Sequence, residues 1–228
     1  MKLASTNRRK ARAFTLIEMI GVLAVIAILA AVLIPKVFEA INNSRINNAA
    51  MACNAIKTGI ADHYAKYGSI ACDGTTATPT VLTVPVAGYN NYDTVLLKEQ
   101  LIDKLFATKL GDGTSGTTTG TRIVLLPAPA AIGGAVTAAD PPAAASDASF
   151  ALDGNATTTD TISGSIVAVA MITGVTLQDA RSLNNIIDGT APNMGEGATA
   201  GTDIAGRVKY AGITPGTTGT VYVYLTHR

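Results

Sequence analysis

The chain has 228 residues, room for one domain of ordinary size beyond a long helix. Its 17 basic and 16 acidic residues give a formal charge of +1, and no stretch interleaves basic with aromatic residues, so nothing in it seeks nucleic acid. Gly, Ala and Thr are abundant and Trp is absent, a composition that suits loop-rich exported β-structure.

Taken in order, residues 1–13 form a basic leader (Lys2, Arg8, Arg9, Lys10, Arg12). Residues 14–34 then run for 21 positions with one charge, Glu18, and Pro35 and Lys36 follow. As a helix at ~1.5 Å per residue this run spans about 31 Å, close to a bilayer's hydrocarbon core. Basic charge ahead of an apolar span holds the leader in the cytoplasm and sends the remainder outward. A secretory signal peptide has a shorter apolar core and a small-x-small cut site behind it, which residues 35–40 do not offer. A plain membrane anchor fits the length but leaves Glu18 unexplained. A carboxylate in hydrocarbon is unfavourable by a few kcal/mol and marks a functional residue with a partner to be named. No basic residue lies one turn away inside the span. A cut before Phe14 creates an α-amino group one turn from Glu18, on its own chain or on a neighbour.

A short basic leader, then Phe-Thr-Leu-Ile-Glu, an apolar run and a proline resembles the N-terminus of type IV prepilins and the related pseudopilins. The matching positions are Phe14 as first mature residue, Glu18 as the fifth and Pro35 as the twenty-second, and the resemblance covers about the first 55 residues. It implies that a prepilin peptidase cuts between Ala13 and Phe14 and methylates the Phe14 amine. Glu18 then neutralises the amine of an adjacent subunit as helices bundle into a filament. The residue before the cut is Ala13, where the family usually has Gly. Loss of the leader leaves 12 basic against 16 acidic residues, a mature charge of −4.

After Pro35 the helix is expected to continue, loosened or kinked near residues 33–35 by the missing backbone donor. Ala49, Cys53, Ile56, Ile60, Tyr64 and Tyr67 form an amphipathic stripe, and Gly68 is a natural stop. The spine is thus one helix of about 54 residues, ~80 Å long if straight. Residues 69–92 connect, with a weak strand at 81–86. Asp93 or Thr94 caps a second helix through Leu97, Leu101 and Leu105, ended by Gly111. Strands are expected at 122–126, 161–173, 207–213 and 220–226, the last two a hairpin around Pro-Gly-Thr-Thr-Gly. Thr176 caps a short helix ending at Gly189; 127–149 and 192–202 are loops. Three or four antiparallel strands are too few to bury both faces, so the striped half of the spine covers the apolar one. The fold class is α+β, and the segments are leader 1–13, membrane or filament-core helix 14–35, amphipathic continuation 36–68 and head 69–228.

Little else carries chemistry. His63 lies beside the stripe and His227 next to the end, neither in a nucleophile or metal arrangement. Asp188, Glu196 and Asp203 share one loop region but match no calcium loop. Cys53 and Cys72 are 19 apart, and exported thiols usually pair. With a straight helix to Tyr67, however, a bridge demands a doubled-back chain or a helix that ends near Gly59, so Cys53 is expected to be a core thiol. The chain reads as non-enzymatic, without cofactor or metal. It is expected to be a structural subunit of a type IV pilus-like filament, stored in inner-membrane lipid before assembly. The resemblance implies as partners the peptidase, an inner-membrane platform, an assembly ATPase and copies of itself. A pseudopilin of a type II secretion system shares every N-terminal residue discussed, and a membrane-anchored periplasmic binding domain is the alternative of another class.

Overall fold

A computed structural model of the chain describes residues 14–70, 89–90, 92–112, 120–127, 150–152, 165–189 and 201–228. It divides into two compact units, Met1–Asn43 and Ser44–Arg228. Helix α1, Leu16–Tyr67, runs for 52 residues, close to the expected 54, and is unbroken at Pro35. Within the first unit the helix is bare: its large apolar side chains are between 45 % (Val37) and 76 % (Leu16) exposed.

The second unit has a core of its own. On α1, Ile46, Ala49, Ala50, Cys53, Ile56, Gly59, Ile60 and His63 are buried, recurring every three or four residues as one face of a helix with 3.6 residues per turn. By the last turn this face has drifted from the expected stripe: His63 is fully buried and Tyr64 is 37 % exposed. Gly68 ends the helix at φ +73°, its N–H donating to the Tyr64 carbonyl at 2.7 Å, the left-handed cap that glycine makes without strain.

Five strands form one antiparallel sheet: β1 (Tyr89–Asn90), β2 (Arg122–Pro127), β3 (Ile166–Thr176), β4 (Val208–Tyr210) and β5 (Thr218–His227), in the order β1-β2-β3-β5-β4. β4 and β5 make the expected C-terminal hairpin. Ile123, Leu125, Ala168, Ala170, Ile172, Val221 and Val223 join the α1 face in the main core. The alternate residues Val124, Leu126, Val167, Val169, Met171 and Tyr222 are also buried, in a second cluster with Phe150. The expectation of a single buried face is therefore corrected. The runs Ile123–Leu126 and Ile166–Ile172 are apolar at every position, as in strands covered on both sides.

The second helix is also shorter than expected. α2 spans Tyr92–Lys98, not the distance to Gly111. Gln100 takes φ 59°, Gln100 N–H donates to the Leu97 carbonyl and Leu101 N–H to the Leu96 carbonyl, each at 3.0 Å. That pair of bonds is a Schellman cap with glutamine where glycine is the usual signal. Asp93 lies inside the first turn, buried, its Oδ2 accepting from Phe106 N–H at 3.0 Å. α3, Leu177–Ile187, starts as expected: Thr176 Oγ1 accepts from Asp179 N–H at 3.3 Å. The strand expected at 81–86 and most of the loops expected at 127–149 and 192–202 lie outside the described residues; Pro127, expected to open the first loop, is the last residue of β2.

Gly111 (φ +78°) and Gly174 (φ +73°) let two backbones meet, where Asp112 N–H donates to the Thr173 carbonyl at 3.0 Å. A Cβ on Gly111 would overlap the Thr173 carbonyl oxygen. Gly111→Ala should cost roughly 2–4 kcal/mol, strain and collision adding, as read from urea unfolding of the detergent-solubilised chain. A loss under 1 kcal/mol would contradict this packing. Cys53 is a free, buried thiol whose acidity burial weakens, pushing it up to about 12. Iodoacetamide at pH 8 should leave Cys53 unlabelled in the folded chain and label it after denaturation, as seen by peptide mass mapping.

Candidate assembly site at the helix N-terminus

The first turn of α1 leaves backbone N–H groups without intrahelical partners, and the sequence Thr15-Leu16-Ile17-Glu18 supplies one internally. Glu18 Oε2 accepts from Thr15 N–H at 2.8 Å and from Thr15 Oγ1 at 2.8 Å, while Glu18 N–H lies 3.4 Å from Thr15 Oγ1. This is a capping box, Thr at the N-cap and Glu three residues on. Glu18 therefore has a role inside its own chain besides any charged partner. The signal was present as the Thr-x-x-Glu spacing ahead of an apolar run.

Only one carboxylate oxygen is used this way. Oε1 makes no hydrogen bond among the described residues, and the side chain is exposed. The carboxylate can cap its own helix through Oε2 and still accept from a donor on a neighbouring chain through Oε1. Around it stand Phe14, Leu16 and Ile17, each at least 74 % exposed. Ala13, on the other side of the expected cut, lies outside the described residues. Pro35 sits within α1, so the Ala31 carbonyl lacks its usual backbone donor. One residue further, Lys36 Nζ pairs with Glu39 Oε2 at 3.2 Å.

The remaining polar residues singled out in the sequence serve the fold. His63 Nδ1 lies 2.7 Å from Glu99 Oε2, both side chains buried, with the Tyr67 and Tyr92 rings at 4.8 and 5.6 Å from the imidazole. Tyr224 Oη hydrogen-bonds His227 Nδ1, and burial holds that imidazole below its ordinary range. Asp188 Oδ2 accepts from the N–H groups of Arg207 and Val208 at 2.9 and 2.8 Å, and its Oδ1 faces Arg207 Nε at 3.4 Å. Burial is the larger influence on Asp188 and moves it above the usual carboxylate range despite those bonds. Asp203 is held by Asn184 Nδ2 at 2.7 Å and Ala205 N–H at 3.1 Å. The two carboxylates are thus spent separately, and Glu196 lies outside the described residues. Among the described residues no three His, Cys, Asp or Glu side chains come together as metal ligands.

α1 also contains a stretch long and apolar enough to cross a membrane, none of it buried within the protein. No curated protein and no solved structure matches the chain. Residues 8–34, however, match the prokaryotic N-terminal methylation motif. The chain therefore carries the hallmark of type IV pilin- and pseudopilin-like precursors.

Proposed function

We propose that the chain is a structural subunit of a type IV pilus-like filament, cut between Ala13 and Phe14 and methylated on the new amine. The observation that carries this reading is Glu18, an exposed carboxylate whose Oε1 accepts no hydrogen bond among the described residues, at the head of a helix that is apolar and bare. Lipid accepts the bare helix before assembly. In the filament the same face packs against the helices of other copies, and the methylated amine of one chain meets Glu18 of another. That contact is worth most where water is excluded, and it fixes the axial stagger between neighbouring subunits. Prepilin peptidase, an inner-membrane platform and an assembly ATPase complete the reading as partners. A pseudopilin of a type II secretion system shares this N-terminus and predicts chain retained in the envelope; the pilus reading predicts chain in the extracellular fraction sheared from cells.

Processing is read by intact mass of the membrane-extracted chain. The mass should be that of residues 14–228 with one added methyl group, and filament-borne chain retaining residues 1–13 would contradict the proposal. Glu18→Val should leave membrane levels intact or raised, because it removes the span's only charge. It should lower sheared filament strongly, since a buried amine without its carboxylate costs about 3–5 kcal/mol.

A further inference from the structure

The apolar surface of α1 does not stop at Pro35. Phe38 and Ile41, beyond Lys36, are 67 % and 52 % exposed, and they sit one turn apart on one side of the helix. An aromatic side chain this exposed outside the membrane-length span needs a cover of its own. The second unit carries an open groove of about 250 Å³, floored by Ala52, Ala55 and Ile56 of α1 and walled by Leu101, Ile102 and Leu105. Small alanines on the floor leave room for a bulky side chain from outside. The groove's rim is charged, with Asp103 and Lys104 both exposed. Phe38 is likewise flanked by a cation and an anion, Lys36 and Glu39, 75 % and 63 % exposed and paired with each other. An exposed pair of this kind is worth little and is easily exchanged for another.

We propose that Phe38 of one copy seats in the groove between α1 and residues 101–107 of another copy, with Lys36 facing Asp103 and Glu39 facing Lys104. The inference deepens the filament reading and rests on it. Knob and hole lie on different surfaces of the same chain, so the contact is heterologous, and a heterologous contact that does not close propagates as a filament. An aromatic anchor in an apolar pocket ringed by charges is the anatomy of a binding hot spot. The groove thereby gives the head a share in subunit registration that the Glu18 contact alone does not supply.

Disulfide trapping tests the contact in the full chain, in cells, with Cys53→Ala and Cys72→Ala removing the native thiols. Phe38→Cys combined with Ala55→Cys should give a ladder of linked chains in sheared filaments under mild oxidation. Either substitution alone, or Phe38→Cys with Asp179→Cys on α3, should give none. In a second arm, Lys36→Glu and Asp103→Lys should each lower filament yield about fivefold, and their combination should restore most of it. If Phe38→Cys itself stops assembly, the charge-exchange arm decides alone. Filaments whose Phe38→Cys/Ala55→Cys chains do not link, or a combined charge exchange no better than its parts, overturn the inference and leave the filament reading standing. A parent chain that makes no filament or pseudopilus at all removes that reading, and the inference with it.

Discussion

Everything in this protein follows from an apolar helical surface that the chain itself does not cover. Residues 14–34 present Leu, Ile and Val on all sides, and the described structure sets no other element against them. At ~25 cal/mol per Å², such a surface cannot stay in water and must sit in lipid or among other helices. Both environments penalise an unpaired charge. Glu18 is tolerable because part of its capacity is spent on Thr15, where the helix start needs an acceptor. The carboxylate is therefore structural within one chain and available between two.

The second unit solves the opposite problem. Here α1 has a polar side and a buried one, and the buried side closes the main core of a five-stranded sheet. Two devices tie the segment after α2 to this framework. Near the C-terminal end of α1, Glu99 meets His63 in the core; near its middle, Arg45 Nε donates to the Lys109 carbonyl at 2.8 Å. Buried Asp93 holds Phe106 between them. The segment thus runs beside α1 without regular structure and leaves the open groove beside Ala52 and Ala55. The sheet edge at β4 is closed in a similar way, with Asp203 and Tyr210 exchanging backbone bonds at 2.8 Å and Asp188 accepting from Val208 N–H. The Asp188 carboxylate and the Asp203 backbone thus occupy groups that would leave that edge open to further pairing.

Much of this was legible beforehand where one physical signal dominated. The length of α1, its glycine stop, the Thr176 cap and the C-terminal hairpin each rest on local chemistry that no tertiary contact overrides. The misses came where local and tertiary terms compete. Leu97, Leu101 and Leu105 keep a helical spacing, yet Gln100 adopts a left-handed conformation and α2 ends at Lys98, leaving Leu101 and Leu105 in a non-helical segment. His63 is polar and in the sequence lies beside the stripe, but a buried Glu99 side chain, 36 residues on, makes it a core residue. The second buried sheet face was foreshadowed by the unbroken apolar runs of β2 and β3, which alternation rules read less well than continuous ones. At the candidate assembly site the Phe14 and Glu18 spacing is plain in the sequence, and the capping role of Thr15 shows in the geometry of the first turn.

The central claim is that Glu18 contributes its charge to a contact between chains, beyond the cap it makes within its own. Glu18→Gln separates the two, because glutamine serves a capping box as glutamate does but brings no charge to neutralise a cationic amine. The decisive measurement is the ratio of sheared filament to membrane-inserted chain for Glu18→Gln against its parent. The account predicts normal membrane levels and helix content with filament reduced at least tenfold; filament equal to the parent would show that capping alone is what Glu18 is for.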